Sequence, residues 1–265
     1  GNNLPIQEYM VAPYGFKDFE TALEASTRVF VELKALISRK LGKSSTCVGD
    51  EGGYAVQAAD PAIPLMLLTQ AISTVGEEDR FCLAVDAAAS EFYKDGKYVF
   101  CGKTISAQKL GEKYASWTRE FNVKSIEDPF AENNWGEWTQ FMKKNKIQVV
   151  GDDLVCTQKH LVEKALEQKA MNASIIKLNQ VGTITETLET LDYCFKHDIA
   201  ASISHRGGET NDSIIADLAV GTGAGQCKFG GLSRGERVAK YNRLMEINEK
   251  ENFAYRGKEF EKKYC

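Results

Sequence analysis

Three charged residues fall at an even interval along the middle of the chain. Glu127 to Asp152 is 25 residues, and Asp152 to Lys177 is 25 again. Each ends or follows a short apolar run, and each run precedes a segment with helical periodicity. One strand, one helix and two loops occupy roughly 25–30 residues, so the interval is that of repeated βα units. In a parallel α/β barrel the strand ends all open onto one mouth. Charged side chains at successive ends then converge in space although they lie far apart in sequence. The interval continues downstream. His205 lies 28 residues after Lys177, behind the strand-like run 199–203, and Lys228 lies 23 further on, behind Gly225-Gln226-Cys227. Upstream, Asp86 ends the run 81–85, and the 41 residues from it to Glu127 hold one helix and a small insertion around 94–104.

Seven barrel strands are expected, near 4–12, 81–86, 123–127, 147–151, 173–178, 199–204 and 226–229. Between them the apolar spacing predicts an amphipathic helix over 16–43 and a helix to about residue 75 that starts with Asp60 as N-cap and Pro61 in first position. Asp95-Gly96 reads as the turn of a hairpin. Helices follow over 106–121, 133–144 and 157–169. Thr183-x-x-Glu186 and Ser233-x-x-Glu236 are capping boxes, the second heading a last helix to about 248. The 265 residues suit one α/β barrel, typically about 250 residues long. A net charge of −4 and the lack of a long basic run argue against a nucleic-acid surface. No apolar run approaches the roughly 18–20 residues of a membrane span. Seven scattered cysteines without a C-x-x-C pair read as reduced thiols, which points to an intracellular, cytoplasmic protein and away from a disulfide framework or zinc site.

Asp86, Glu127 and Asp152 offer oxygen alone, the donor set that suits Mg²⁺. The plainer alternative is that acids at strand ends bond loop amides or cap the next helix. Lys177 and Lys228 each follow an apolar strand; a lysine serves as a base if burial or nearby positive charge lowers its pKa, and otherwise pairs with the acids. His205-Arg206-Gly207-Gly208-Glu209 reads as an anion-binding loop, since Arg presents a fork to phosphate or carboxylate, or else His205 is a structural hydrogen-bonding residue. Gly49-Asp50-Glu51-Gly52-Gly53 is an acid-bearing loop or a plain tight turn.

Taken together, the motifs resemble the C-terminal catalytic barrel of the enolases (phosphopyruvate hydratases). They are Leu4-Pro5-Ile6-Gln7-Glu8-Tyr9-Met10, Val48-Gly49-Asp50-Glu51-Gly52-Gly53, Val85-Asp86-Ala87-Ala88-Ala89-Ser90-Glu91-Phe92, Ser125-Ile126-Glu127-Asp128-Pro129-Phe130, Gly151-Asp152-Asp153-Leu154, Lys177-Leu178-Asn179-Gln180, Ser204-His205-Arg206-Gly207-Gly208-Glu209-Thr210 and Ala239-Lys240-Tyr241-Asn242. The resemblance implies an α/β, enolase-type TIM barrel over 1–265 with about seven of eight strands. The family's first barrel strand and N-terminal α+β domain would lie before Gly1. It further implies, for the complete protein, reversible dehydration of 2-phosphoglycerate to phosphoenolpyruvate in glycolysis and gluconeogenesis, and leaves open whether this chain alone turns over substrate. Asp86, Glu127 and Asp152 would hold Mg²⁺, with a second Mg²⁺ joining when substrate binds. Lys177 would be the base, and Glu51, aided by Glu8, the acid. Gln7, Glu8, His205, Arg206, Gly207 and Lys228 would contact substrate, and the complete protein would be a homodimer. Gly207 stands where the family usually has a serine that helps to bind phosphate. The competing class is an enolase-like binding or structural protein with little turnover.

Overall fold

The apolar runs form strands because they are short, rich in β-branched residues and bounded by turn formers. The computed structural model describes residues 4–251 and 253–265. Among these, ten strands make two sheets. They are β1 (Glu8–Pro13), β2 (Phe81–Asp86), β3 (Tyr93–Lys94), β4 (Lys97–Phe100), β5 (Lys103–Ile105), β6 (Val123–Glu127), β7 (Gln148–Gly151), β8 (Ala173–Ile176), β9 (Ala200–Ser204) and β10 (Gly225–Lys228). The large sheet has the order β1-β2-β6-β7-β8-β9-β10. β1 runs antiparallel to β2, and the following strands pair in parallel. Parallel neighbours need a crossover, here mostly helical, so the interval of about 25 residues is indeed that of βα units. The result is a curled α/β half-barrel of seven mostly parallel strands, with β1 and β10 as its two edges.

All seven expected barrel strands are present. β1 starts at Glu8 rather than near residue 4, because Pro5 has no N–H for a ladder. β8 stops at Ile176 because the Lys177 amide turns to Thr157 Oγ1, 2.9 Å away. Strands β2, β7 and β8 are buried along their whole length, as expected where helices cover one face of a parallel sheet and side chains fill the other. Helix Phe19–Leu41 starts behind Asp18, whose carboxylate accepts from the Thr21 amide at 2.8 Å. Thr183 caps helix Ile184–Lys196 as expected, accepting from Glu186 N at 3.2 Å.

Two expected helix starts are corrected. Asp60 and Pro61 belong to a turn in which Asp60 Oδ1 accepts from Ala62 N at 2.9 Å, and the proline inside helix Ile63–Val75 is Pro64. Ser233 does not cap helix Gly235–Glu251; its hydroxyl donates to Gly52 O at 2.8 Å. Helix Gly257–Tyr264 carries too few apolar residues among its lysines and glutamates for periodicity to announce it. Among the described residues no helix is long and apolar enough to cross a membrane.

The small sheet is β3-β4-β5, with Asp95 and Gly96 both at positive φ in its expected turn. It matters because it braces the loop after β6. Buried Tyr98 packs edge-on against Phe130, with ring centres 6.1 Å apart. Its hydroxyl accepts from Ala131 N at 3.0 Å and Asn134 Nδ2 at 2.8 Å. Phe130 in turn meets Phe141 and Tyr114 in the core. Replacing Tyr98 by Phe keeps the packing but leaves the buried Ala131 amide without its acceptor. Such a group costs about 1–3 kcal/mol, so Tyr98→Phe should lower the stability measured by urea unfolding by that amount; an unchanged midpoint and slope would mean the loop does not lean on the hairpin.

Candidate active site

The site begins with register. Glu8 on β1 stands opposite Asp86 on β2, and Asp86 stands opposite Glu127 on β6. Lys228 ends β10, the other edge of the sheet, and crosses to all three. Its Nζ is 2.5 Å from Glu8 Oε2, 2.8 Å from Asp86 Oδ2 and 2.9 Å from Glu127 Oε1. The Lys228 side chain is only 11% exposed. Burial opposes its charge, but Asp86, Glu127 and Glu8 hold its pKa well above that of an ordinary lysine.

A second lysine sits on the next pair of strand ends. Lys177 Nζ is 2.5 Å from Asp152 Oδ2, and Gln180 Nε2 donates to Asp152 Oδ1 at 3.2 Å. Asp128 has both oxygens on the same loop: Oδ1 accepts from Asp152 N at 2.9 Å and Oδ2 from Asp153 N at 2.8 Å. Asp128, Asp152 and Asp153 therefore bring a carboxylate oxygen each within 4.8 Å of one another. Of the three expected ligands, Asp86 and Glu127 meet around Lys228, whereas Asp152 is turned towards Lys177 and the Asp128 carboxylate.

The acid half of the site is a separate cluster. Glu8, Glu51 and His205 offer atoms within 4.8 Å of one another, and His205 Nε2 lies 3.8 Å from Glu8 Oε1. Burial opposes ionisation of Glu8, yet Lys228 first, then the neighbouring His205 and Glu51, keep its pKa well below the carboxylate range. Glu51 is pushed up to about 8, first by its hydrogen bond to Glu8, then by burial and the Glu8 charge. The two carboxyls thus share one proton, which Glu51 carries. Burial lowers the pKa of His205 and favours the neutral ring.

Arg206 is exposed and donates to Asn179 Oδ1 at 2.7 Å. Gly207 is exposed beside it; a Cβ added there would meet only Glu51 Oε1, at 3.8 Å. Gln7 is exposed, and its amide donates to Asp86 O at 3.0 Å. A cleft of about 1080 Å³ reaches Gln7, Glu8, Glu51, Gly207 and Lys228 and runs on between the sheet edges.

Around this mouth the ammoniums that pair with Glu8, Asp86, Glu127 and Asp152 are, among the described residues, those of Lys177 and Lys228, and Asp128 adds a further carboxylate. Burial and mutual repulsion raise the pKa values of Asp86 and Glu127 despite Lys228, and that of Asp128 despite the amides of Asp152 and Asp153. A buried surplus of negative charge built from oxygen donors alone is what a hard divalent cation relieves. The residues present therefore fit Mg²⁺. Sequence reading missed Asp128, which adjoins Glu127 but lies off the even interval. It also missed Arg237, whose guanidinium donates to His205 Nδ1 at 2.6 Å; nothing in its helical surroundings marked it.

A half-barrel that gathers carboxylates and two lysines at its strand ends has the build of a metal-assisted barrel enzyme. Residues 1–264 match the family model of the enolase C-terminal TIM barrel domain, and the chain belongs to that family.

Removing Lys228 leaves Glu8, Asp86 and Glu127 buried without their shared counterion, a loss of about 3–5 kcal/mol. Lys228→Met should therefore unfold at markedly lower temperature in chelator. Mg²⁺ should raise its midpoint by more than it raises that of the unaltered protein. A variant as stable as the original in chelator would show that the three acids are not held by this ion pair.

Proposed function

We propose that this chain is the catalytic barrel of a Mg²⁺-dependent hydro-lyase that converts 2-phosphoglycerate to phosphoenolpyruvate, reversibly. The observation that carries the reading is the opposed tuning of Glu8 and Glu51 beside a buried acidic centre that ends in Lys177. Carboxyls whose environments drive their pKa values apart are fitted to different proton roles. As in enolase-superfamily enzymes, a lysine base is available together with a Mg²⁺ site.

Asp86, Glu127 and Asp152 would hold the metal. When bound, Mg²⁺ supplies the positive charge that draws electrons into the substrate carboxylate and makes its alpha proton removable. Lys177, whose Nζ lies 2.5 Å from Asp152 Oδ2, takes that proton. Lys228 adds its fixed charge against the carboxylate. Glu51 gives its proton to the departing C3 hydroxyl, which leaves as water, while Glu8 accepts the hydrogen bond beside it. Arg206, braced by Asn179, holds the phosphate, and His205 reaches the substrate from the acid side. The reaction belongs to glycolysis and, in reverse, gluconeogenesis, in the cytoplasm, and the working form is a homodimer.

The test is formation of phosphoenolpyruvate from 2-phosphoglycerate with Mg²⁺. Lys177→Ala should abolish exchange of the alpha proton with deuterated solvent, whereas Glu51→Gln should spare exchange better than dehydration. Since Glu51 must be protonated to act and titrates at about 8, dehydration should fall as pH rises through that value. A folded, Mg²⁺-loaded protein with neither turnover nor exchange would overturn the reading and favour a binding role.

A serine at residue 207 has room for its side chain. One neutral hydrogen bond is worth about 0.5–1.5 kcal/mol, so Gly207→Ser should tighten substrate binding several-fold. Unchanged or weaker binding would mean that the hydroxyl does not reach the phosphate.

A further inference from the structure

Arg237 lies in helix Gly235–Glu251 and is fully buried, at 0% exposure. Its NH1 group donates to His205 Nδ1 at 2.6 Å and to Arg206 O at 2.7 Å. Its NH2 group donates to Asp50 O at 3.0 Å and to Gly207 O at 2.8 Å. One guanidinium thus joins the loop after β9 to the loop that carries Glu51. Arginine keeps its proton and can only donate. The His205 Nδ1 it faces must therefore accept, which leaves the ring proton on Nε2, the atom turned to Glu8 Oε1 at 3.8 Å.

The segment leading into the same helix grips the Glu51 loop independently. Gly231 N donates to Glu51 O at 2.7 Å, and Ser233 Oγ to Gly52 O at 2.8 Å. The approach is so close that a Cβ on Gly230 would lie 2.5 Å from Glu51 O and 2.9 Å from Arg237 Cδ. Gly52 is also at positive φ, where a Cβ would meet Ser233 O at 2.5 Å. Only glycines let the loop lie flat against the arginine.

We infer that Arg237 is the positioning residue for the acid half of the site: it fixes His205 as the Nε2–H tautomer and docks the Glu51 loop so that Glu51, Glu8 and His205 gather in one cluster. Its catalytic consequence rests on the proposed dehydration; its geometric content does not. A buried charge that meets four acceptors at once is tolerated because its terminal N–H groups are satisfied. The cation also works without touching the reacting atoms. Lys177 lies in the other half of the site, so disturbing Arg237 should separate the two proton transfers.

The experiment combines nitrogen-15 NMR of the histidine side chains with the two activity readouts. The protein has three histidines, so substituting His160 and His197 singly assigns the His205 signals. In the unaltered protein His205 should be neutral with its proton on Nε2. Finding the proton on Nδ1, or a charged ring, overturns the inference without any Arg237 variant. In Arg237→Met the tautomer preference should be lost, and amides of 50–53 should exchange faster with solvent. At saturating substrate, dehydration should fall about a hundredfold, the loss typical of a misplaced group, while alpha-proton exchange stays within a few-fold. Arg237→Lys should recover part of the dehydration and serves where the Met variant fails to fold. An unchanged tautomer, or parallel loss of dehydration and exchange, overturns the positioning role. If the unaltered protein turns over no substrate, the proposed function falls, and the tautomer and loop exchange alone decide whether Arg237 is the clamp.

Discussion

The ammonium of Lys228 holds the two edges of the sheet to one purpose. β1 and β10 are the edges of the half-barrel, and no backbone ladder joins them among the described residues. Lys228 on β10 nevertheless touches Glu8 on β1 and, one and two strands further in, Asp86 and Glu127. In a closed barrel, hydrogen bonds would fix that distance. Here a buried charge cluster spans it instead, and such clusters resist disruption strongly because each partner removed strands another charge. The mouth therefore keeps its shape through the same groups that line it.

That arrangement divides the charged groups of the mouth into two halves. On one side lies Asp152 with Lys177, braced by Asp128 and Gln180. On the other lie Glu8, Glu51 and His205, pinned by Arg237. Lys228 stands between and makes Glu8 the stronger acid, which leaves the shared proton on Glu51. The acids around Lys228 still outnumber the cations, and the raised pKa values of Asp86 and Glu127 express the imbalance. A divalent cation would relieve it, so a metal held there and the Glu8–Glu51 pair would depend on one electrostatic centre.

Much of this was legible in the sequence because barrel geometry converts spacing into proximity. Strand pairing sets Asp86 beside Glu127, and the even interval carries on to Asp152, Lys177, His205 and Lys228, each at or just past a strand end. The seven strands were legible for the same reason. What escaped depends on contacts without a sequence period. Arg237 sits in a helix whose polar residues look solvated, and only the fold shows that it lies at 0% exposure. Asp128 reads as part of a turn until its carboxylate is seen to accept the Asp152 and Asp153 amides. Ser233 looks like a cap because its spacing to Glu236 is right, yet the Gly52 carbonyl captures its hydroxyl. The antiparallel entry of β1 has no local signal at all, since a strand's direction is set by its neighbour.

The buried acids at the strand ends are suited to hold one divalent cation together. Calorimetric titration with Mg²⁺, in buffers that differ in ionisation enthalpy, tests this most directly. Saturable binding at neutral pH with proton release is expected, since carboxyls of raised pKa must give up protons when the cation arrives, as is loss of that binding in Asp152→Asn. A folded protein that shows no saturable Mg²⁺ binding, or binds it equally well with Asp152, Asp86 or Glu127 changed singly to the amide, would contradict it.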